Sequence, residues 1–344
     1  MRRTPTHAGF NRLQQRPLGA IMRDGKDEPD KASKRLRILM FCAASVHLGL
    51  CLWSYIETLQ TDWKIPRSIH FNTWRNPTLN APPQSPGSPS IEIDEDIRIL
   101  KPATHKLNGS LSLGGLCAGF HFLSFFFVGL QAILLPRNFA LTNITDGVNF
   151  FRWIEYSISA PVMIIIIVAL SGSFDVPLQI TVCSLTTVTM FCGLGVELVR
   201  RISVRFERVL NSSLSGVPKR GDDYANAQHD LKLLKIILHA TGCVCQTAVW
   251  LPIFMLLWTS LDKSLDEAPG DIKVFVIAIN LVVAFLFICF GFVQLGSLYK
   301  RGNSPGLASE YAYVILSLVS KTILGVLLFV GVLVREEMVE IDDF

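Results

Sequence analysis

One amine sits deep in an apolar run. Lys321 lies in Ser317-Leu-Val-Ser-Lys321-Thr-Ile-Leu-Gly325, in the middle of the stretch from Leu307 to Val334. An ionised side chain at the centre of a hydrocarbon layer costs about 2.5–3.5 kcal/mol. Both ends of the run are too far away for its stem to reach water. It therefore needs a partner carboxylate, loss of its proton, or covalent modification. Helical rise supplies the candidate partner. Counted from one face at about 1.5 Å per residue, Lys321 is roughly 21 Å deep, Glu155 roughly 18 Å, His47 roughly 16 Å and His121 roughly 22 Å. Four ionisable groups thus share one layer, and Glu155 is the only carboxylate in it. A Lys321–Glu155 pair follows from spacing and topology. Its chemistry is that of a protonated amine or imine with its counterion, beside imidazoles that accept or relay protons near neutral pH. The competing reading is an ion pair that locks two helices, with packing histidines beside it. Arg152, one turn from Glu155, either holds a polar network together or reaches for the surface.

The elements that must carry these groups are membrane helices. The chain has 344 residues, 50% of them apolar and only 17% charged, with a mean hydropathy of +0.40. A soluble domain carries about 25% charged residues. Seven nearly uncharged stretches are each long enough to cross a ~30 Å hydrocarbon layer as a helix. They run Ile38–Ile56, Leu111–Leu135, Asn143–Gly172, Val176–Val199, Leu231–Leu261, Ile272–Leu298 and Leu307–Val334. Backbone groups in lipid must bond within the protein, so the expected fold is an all-α membrane protein, a seven-transmembrane helix bundle over 38–334. Residues 1–37 lack the apolar core of a signal peptide and read as a disordered basic tail. Residues 335–344 read as an acidic tail.

Charge sets the expected direction. With the N-terminus cytoplasmic, 22 of the 32 Lys and Arg side chains fall inside. The positive-inside rule then gives N-terminus cytoplasmic and C-terminus outside. Two connections are long. The outer loop 60–110 contains a Pro/Ser stretch, Asn76 to Ser90, flanked by strand-like runs at Ser68–Trp74 and at Ile91, Ile93, Ile97 and Ile99, which suggests a β-hairpin. The inner loop 200–232 is basic, extends the fourth helix and faces anionic lipid. Asn108 starts an outer glycosylation sequon, and Asn143 and Asn211 match the pattern on the cytoplasmic side. The eight cysteines all lie in apolar runs, which excludes a loop disulfide framework, and Cys243/Cys245 lack the second pair a metal site needs. A net charge of +4 gives no reason to expect a nucleic-acid partner.

The third run reads Arg152-Trp153-Ile-Glu155-Tyr156-Ser157-Ile-Ser159-Ala-Pro-Val-Met163. It resembles the RWxEYSxS…M signature of the heliorhodopsins. Leu316-Ser317 followed by Lys321 resembles that family's retinal-bearing helix, and His47 and His121 fall where the family has a His in its first and second helices. The inverted topology and long first outer loop are similar too, and the likeness covers about residues 36–334. It implies all-trans retinal on Lys321 as a protonated Schiff base, with Glu155 as counterion and Ser317 hydrogen-bonding nearby. Ser159, Met163, Trp250 and Phe290 would line the chromophore. His47, His121 and Arg152 would form a polar proton network. The chain departs from the family at Pro161, where a small polar residue is expected, and in its longer tail and inner loop.

The resemblance implies an integral, multi-pass protein of a plasma or host-cell membrane, surrounded by lipid, a homodimer, and an unknown cytoplasmic signalling partner. Nothing suggests an enzyme. Proton pumps usually carry an Asp four residues before the retinal lysine and a carboxyl donor three turns past the counterion; here those positions hold Ser317 and Ile166. A photoreceptor is therefore expected. The alternatives are a light-gated proton or cation channel, with Glu197, Glu310, His239 and Glu57 as partial relays or surface residues, and a retinal-free seven-helix receptor.

Overall fold

The computed structural model of the chain describes residues 27–60, 64–75, 99–135, 144, 147–213, 221–263, 270–299 and 305–342. The long elements are α1 (Asp27–Gln60), β1 (Lys64–Arg75), β2 (Ile99–Ser112), α2 (Leu113–Leu134), α3 (Phe150–Leu170), α4 (Val176–Ser213), α5 (Gly221–Lys263), α6 (Gly270–Tyr299) and α7 (Pro305–Asp342). Among the described residues, seven helices are long and apolar enough to cross a membrane. Sequence neighbours pack on one another, and α7 returns to α1, so the bundle closes into a ring. Its polarity is inverted relative to a soluble protein. Trp258 and Phe285 are 75% and 63% exposed, while His47, Glu155, Asn280 and Lys321 are buried. Such an arrangement suits a lipid solvent, in which outward apolar side chains cost nothing and polar groups must find partners inside.

α3 is the axis of the bundle. Two-thirds of its span is buried, a larger share than in any other span. In its second half Ile164, Ile166, Ile167, Val168 and Ala169 form the main core with Phe120, Val182, Val249, Ile279, Leu324 and Phe329. Pro161 lies inside this helix, has no N–H, and cannot bond the carbonyl four residues earlier. That carbonyl belongs to Ser157, and Thr187 Oγ1 of α4 donates to it at 3.3 Å. The helix continues through the proline with its vacated acceptor served by a neighbour.

The ends of the elements differ from the sequence reading. α1 begins at Asp27, so the segment to Arg37 assigned to a disordered tail is helical from there. Ser33 and Leu36 are buried, and the latter belongs to a second core with Met40, Val128 and Ile144. The inner loop 200–232 extends the fourth helix, as expected, and it also lengthens the fifth. α4 runs on to Ser213 and α5 starts at Gly221, so both project past the apolar limit of their runs. α7 likewise runs to Asp342 through the expected acidic tail. Hydrophobicity sets where a helix leaves lipid, not where its hydrogen-bond ladder stops.

The antiparallel β1–β2 ribbon takes its second strand from Ile99–Ser112, not from the alternating isoleucines at 91–97, which lie outside the described residues with the Pro/Ser stretch. Lys64 pairs with Ser112, so the ribbon grows from the adjacent ends of α1 and α2. Ser112 also caps α2, accepting from Gly115 N at 3.1 Å. On its far side, Ser68 N donates to Phe174 O at 3.1 Å, fastening the ribbon to the α3–α4 turn. Asn108 lies on β2 and Asn211 on α4, whereas Asn143 is outside the described residues.

Candidate functional site

Lys321 and Glu155 meet. Each is almost fully buried, at 3% and 1% exposure, and Lys321 Nζ forms an ion pair with Glu155 Oε1. The third member comes from α2. Lys321 Nζ donates to Ser124 Oγ at 2.6 Å, and Ser124 Oγ donates to Glu155 Oε1 at 2.7 Å. Ser159, one turn after Glu155 on α3, donates to the same oxygen at 3.1 Å. Three donors from three helices thus converge on one carboxylate oxygen. The Tyr156 ring lies 5.3 Å from Lys321 Nζ, a cation–π distance.

The histidines sit beside this pair. His47 Nδ1 and His121 Nδ1 are 3.1 Å apart, so one ring donates and the other accepts. His121 reaches its place because α7 has Gly325 one turn after Lys321; a Cβ there would lie 2.7 Å from His121 Nε2. His121 packs on Phe120 with ring centroids 4.4 Å apart. Only His47 of the two lines the small polar cavity described below.

Arg152 does not reach the surface. It is buried and forms ion pairs with both Glu197 of α4 and Glu310 of α7. Both acids were open to reading as surface residues, yet they are only 3% and 4% exposed. Trp153 Nε1 donates to Glu197 Oε2 at 2.7 Å, and Asn149 N donates there at 3.2 Å. Asn149 Nδ2 donates to Glu310 Oε2 at 2.8 Å and to Gln131 Oε1 at 2.9 Å. Asn149 is also the N-cap of α3, its Oδ1 accepting from Arg152 N at 3.2 Å. The first turn of a helix offers free N–H groups and partial positive charge, which suits two carboxylates gathered there. Arg200 adds a further cation, spending Nη2 on Gly147 O at 2.7 Å. Gly147 has φ of 88° and no room for a Cβ against that guanidinium.

Two cavities meet at the Lys–Glu layer. The larger, about 730 Å³, lies between α3, α4, α5, α6 and α7. Met163, Trp250, Phe254, Phe287 and Phe290 line it, and Lys321, Ser317 and Ser159 contribute polar groups. Trp250 packs edge-on to Phe287 with centroids 5.7 Å apart. The smaller, about 20 Å³, lies on the Arg152 side and is lined by His47, Gln131, Arg152, Glu155, Glu310 and Ser317 among others. Ser317 lines both. His239 reaches the large cavity from α5 beside Cys243, and Glu57 stays near Trp53 Nε1, which donates to it at 3.1 Å. Neither joins the Lys–Glu pair. No cluster of three or more metal-ligating groups occurs among the described residues.

The larger cavity fits a retinal. Its volume lies in the range of about 300–1,000 Å³ typical of small-molecule sites, and the lining is mostly aromatic and aliphatic with few polar groups. A lysine amine stands in its wall with a carboxylate at hand. The site residues expected from the sequence therefore gather in one place: Lys321, Ser317, Ser159, Met163, Trp250 and Phe290 on the large cavity, and Glu155, Arg152 and His47 on the small one. Sequence reasoning missed Ser124 and Asn149. Ser124 was within reach, since it lies one turn after His121 and shares that helix face. Asn149 carried a signal too, as a capping residue before the Arg152 motif.

The same bundle occurs in a solved protein. A crystal structure of Exiguobacterium sibiricum rhodopsin superposes with a TM-score of 0.53 at 13% identity, over 87% of this chain and 96% of that one. That likeness shows a shared fold. The crystal structure of a light-driven proton pump, LR (Mac), from Leptosphaeria maculans covers 90% of this chain and 96% of its own at 12% identity, with a TM-score of 0.39. No curated protein sequence matches. The family model for heliorhodopsin matches residues 90–333, which span β2, the basic α4–α5 region and every helix from α2 to α7. With seven apolar spans around a lysine-walled cavity, the chain is an integral multi-pass membrane protein of the retinal-binding rhodopsin class, and it belongs to the heliorhodopsin family.

Proposed function

We propose that the protein is a light sensor in which all-trans retinal is joined to Lys321 as a protonated Schiff base, with Glu155 as its counterion. The observation that carries this reading is the buried Lys321–Glu155 pair beside a large apolar cavity. Lysine amines condense with aldehydes, and a carboxylate held against the nitrogen favours its protonated form. Retinal, when bound, supplies visible absorption and photoisomerisation. The chain's own groups do the rest. Ser124 and Ser159 fix the Glu155 carboxylate, so its negative charge is already oriented before light arrives. Met163, Trp250 and Phe290 confine the chromophore and exclude water. A change in the Lys321–Glu155 contact then shifts the balance of protons and helix packing, a local electrostatic event with a global readout.

Sensing is favoured over pumping by the asymmetry around Glu155. Toward the Arg152 end, carboxylates, amides and a small cavity follow one another. Toward the ribbon end the buried polar groups described are uncharged, as where Ser171 Oγ donates to Asn280 Oδ1 at 3.0 Å and Ser54 Oγ to Cys117 Sγ at 3.4 Å. Among the described residues the other buried carboxylates, Glu197 and Glu310, lie on the Arg152 side, so a carboxylate relay across the whole membrane is missing there. The basic end of the chain is taken as cytoplasmic, and the family likeness adds a homodimer and a cytoplasmic partner to the same reading.

The test is retinal titration of the purified full chain in bilayers. A visible band is expected, absent in Lys321→Ala and moved to longer wavelength in Glu155→Gln. A protein that stays colourless overturns the chromophore. A band unmoved in Glu155→Gln overturns the counterion. Voltage-clamp recording under illumination is expected to give no sustained current, and a sustained current favours the light-gated conductor instead.

A further inference from the structure

We propose that Glu310 is the proton acceptor of this site: after illumination, the proton held at Lys321 Nζ passes by way of Glu155 to the Glu310 carboxylate. The inference rests on the Lys321–Glu155 reading above and adds a destination to it.

Geometry points to a route. All the bonds to the Glu155 carboxylate described above fall on Oε1. Glu155 nevertheless lines the small cavity, and Glu310 lines it too. At about 20 Å³ that cavity exceeds the ~10–15 Å³ that one water requires, and its walls offer the two to four polar partners such a water needs. Glu155 and Glu310 therefore face one space that has room for water, with Gln131 and Ser317 on its wall.

Charge and hydrogen bonding select Glu310 among the groups that face this space. From α3 come Arg152, Glu155 and Tyr156; from α1 comes His47. α4 brings Glu197 and Arg200 to the far side of Arg152, α7 brings Tyr313 over the guanidinium, and α2 brings His121 onto His47. Two carboxylates share the single guanidinium of Arg152. Among the described residues, Glu197 receives three donors, Arg152, Trp153 Nε1 and Asn149 N. Glu310 receives two, Arg152 and Asn149 Nδ2. Of the two acids, Glu310 is the one that also lines the small cavity with Glu155. Once Glu310 is neutral, Arg152 faces one carboxylate instead of two. His47 and His121 are the rivals: their Nδ1 atoms share one bond, His121 does not line the small cavity, and imidazolium bands would report them.

The transfer balances without an oxidant or reductant. The N–H bond at Lys321 Nζ breaks and its electron pair stays on nitrogen. Glu155 takes the proton, releases one to the water and returns to carboxylate. An O–H bond forms on Glu310, so one positive charge at Lys321 and one negative charge at Glu310 disappear together.

Light-minus-dark infrared difference spectroscopy on the full-length retinal-loaded protein in bilayers tests this. The expected result is a new protonated-carboxyl band in the state that lacks the Nζ proton. It is lost in Glu310→Gln and kept in Glu197→Gln. A band that survives in Glu310→Gln, or imidazolium bands in its stead, overturns the proposal while leaving the chromophore reading intact. If Glu310→Gln fails to fold, Glu310→Asp serves: a shifted band supports Glu310, and an unshifted one overturns it. A wild-type protein without any visible band overturns both readings at once.

Discussion

At the scale of single residues, the site turns on a serine. Lys321, Glu155, His47 and His121 are legible in the sequence because each is an ionisable group in an otherwise apolar run, and the energetic cost singles it out. Ser124 has no such cost. Serines occur throughout these runs, and many simply bond back to their own helix, as Ser45 does to Phe41 O at 2.9 Å; Ser124 too has such an acceptor, Phe120 O at 3.1 Å. Only the packing of α2 against α3 and α7 turns Ser124 into the bridge between amine and carboxylate. Hydrogen bonds to charged groups contribute about 1.5–3 kcal/mol. Ser124→Ala is therefore expected to move the visible band of the retinal-loaded protein and lower its thermal midpoint. Unchanged absorption and melting would show that Lys321 and Glu155 hold each other without help. Glu197 and Glu310 fall between these cases. Their charges are visible, but their closeness to the run ends suggests water, and burial follows only once α4 and α7 are seen to continue past them.

At the scale of elements, existence and type are read easily and ends are not. Seven apolar runs give seven spanning helices because lipid leaves the backbone no other way to bond itself. Ends depend on contacts that hydrophobicity does not encode, such as Leu36 packing in the first turns of α1. The β ribbon is half legible. β1 has the expected alternation, whereas β2 is placed by the adjacency of α1 and α2 and contains Pro102 and Gly109, residues that pattern reading counts against a strand. Pro161 is the clearest element-level prediction. Its helix survives because Thr187 serves the Ser157 carbonyl. Thr187→Val keeps the shape and removes the donor. It is expected to cost about 1 kcal/mol, the scale of one net hydrogen bond. Restoring a backbone donor with Pro161→Ala should make the valine change nearly neutral. A double-mutant cycle in thermal unfolding measures this, and additive effects would exclude the link.

At the scale of the whole molecule, the charge distribution gives the bundle an expected direction. The basic α4–α5 extension and the start of α1 belong to one end, and the ribbon and the acidic close of α7 to the other. An impermeant protease should therefore cut a tag at residue 1 only from the cytoplasmic face and a tag after residue 344 only from outside. The reverse pattern would turn the molecule over and move Glu310 to the outer half of the membrane.

The two ends are also held together differently. At one, strands knit α1 to α2, and Ser68 hooks that fabric to the corner where α3 becomes α4. At the other, α3, α4 and α7 meet chiefly through Arg152, Glu197, Glu310 and Asn149. Backbone ladders yield only when many bonds break at once; an ionic knot loosens when a single proton changes hands. A disturbance that starts at Lys321 is thus channelled away from the stitched rim and spreads where the helices are joined by charge.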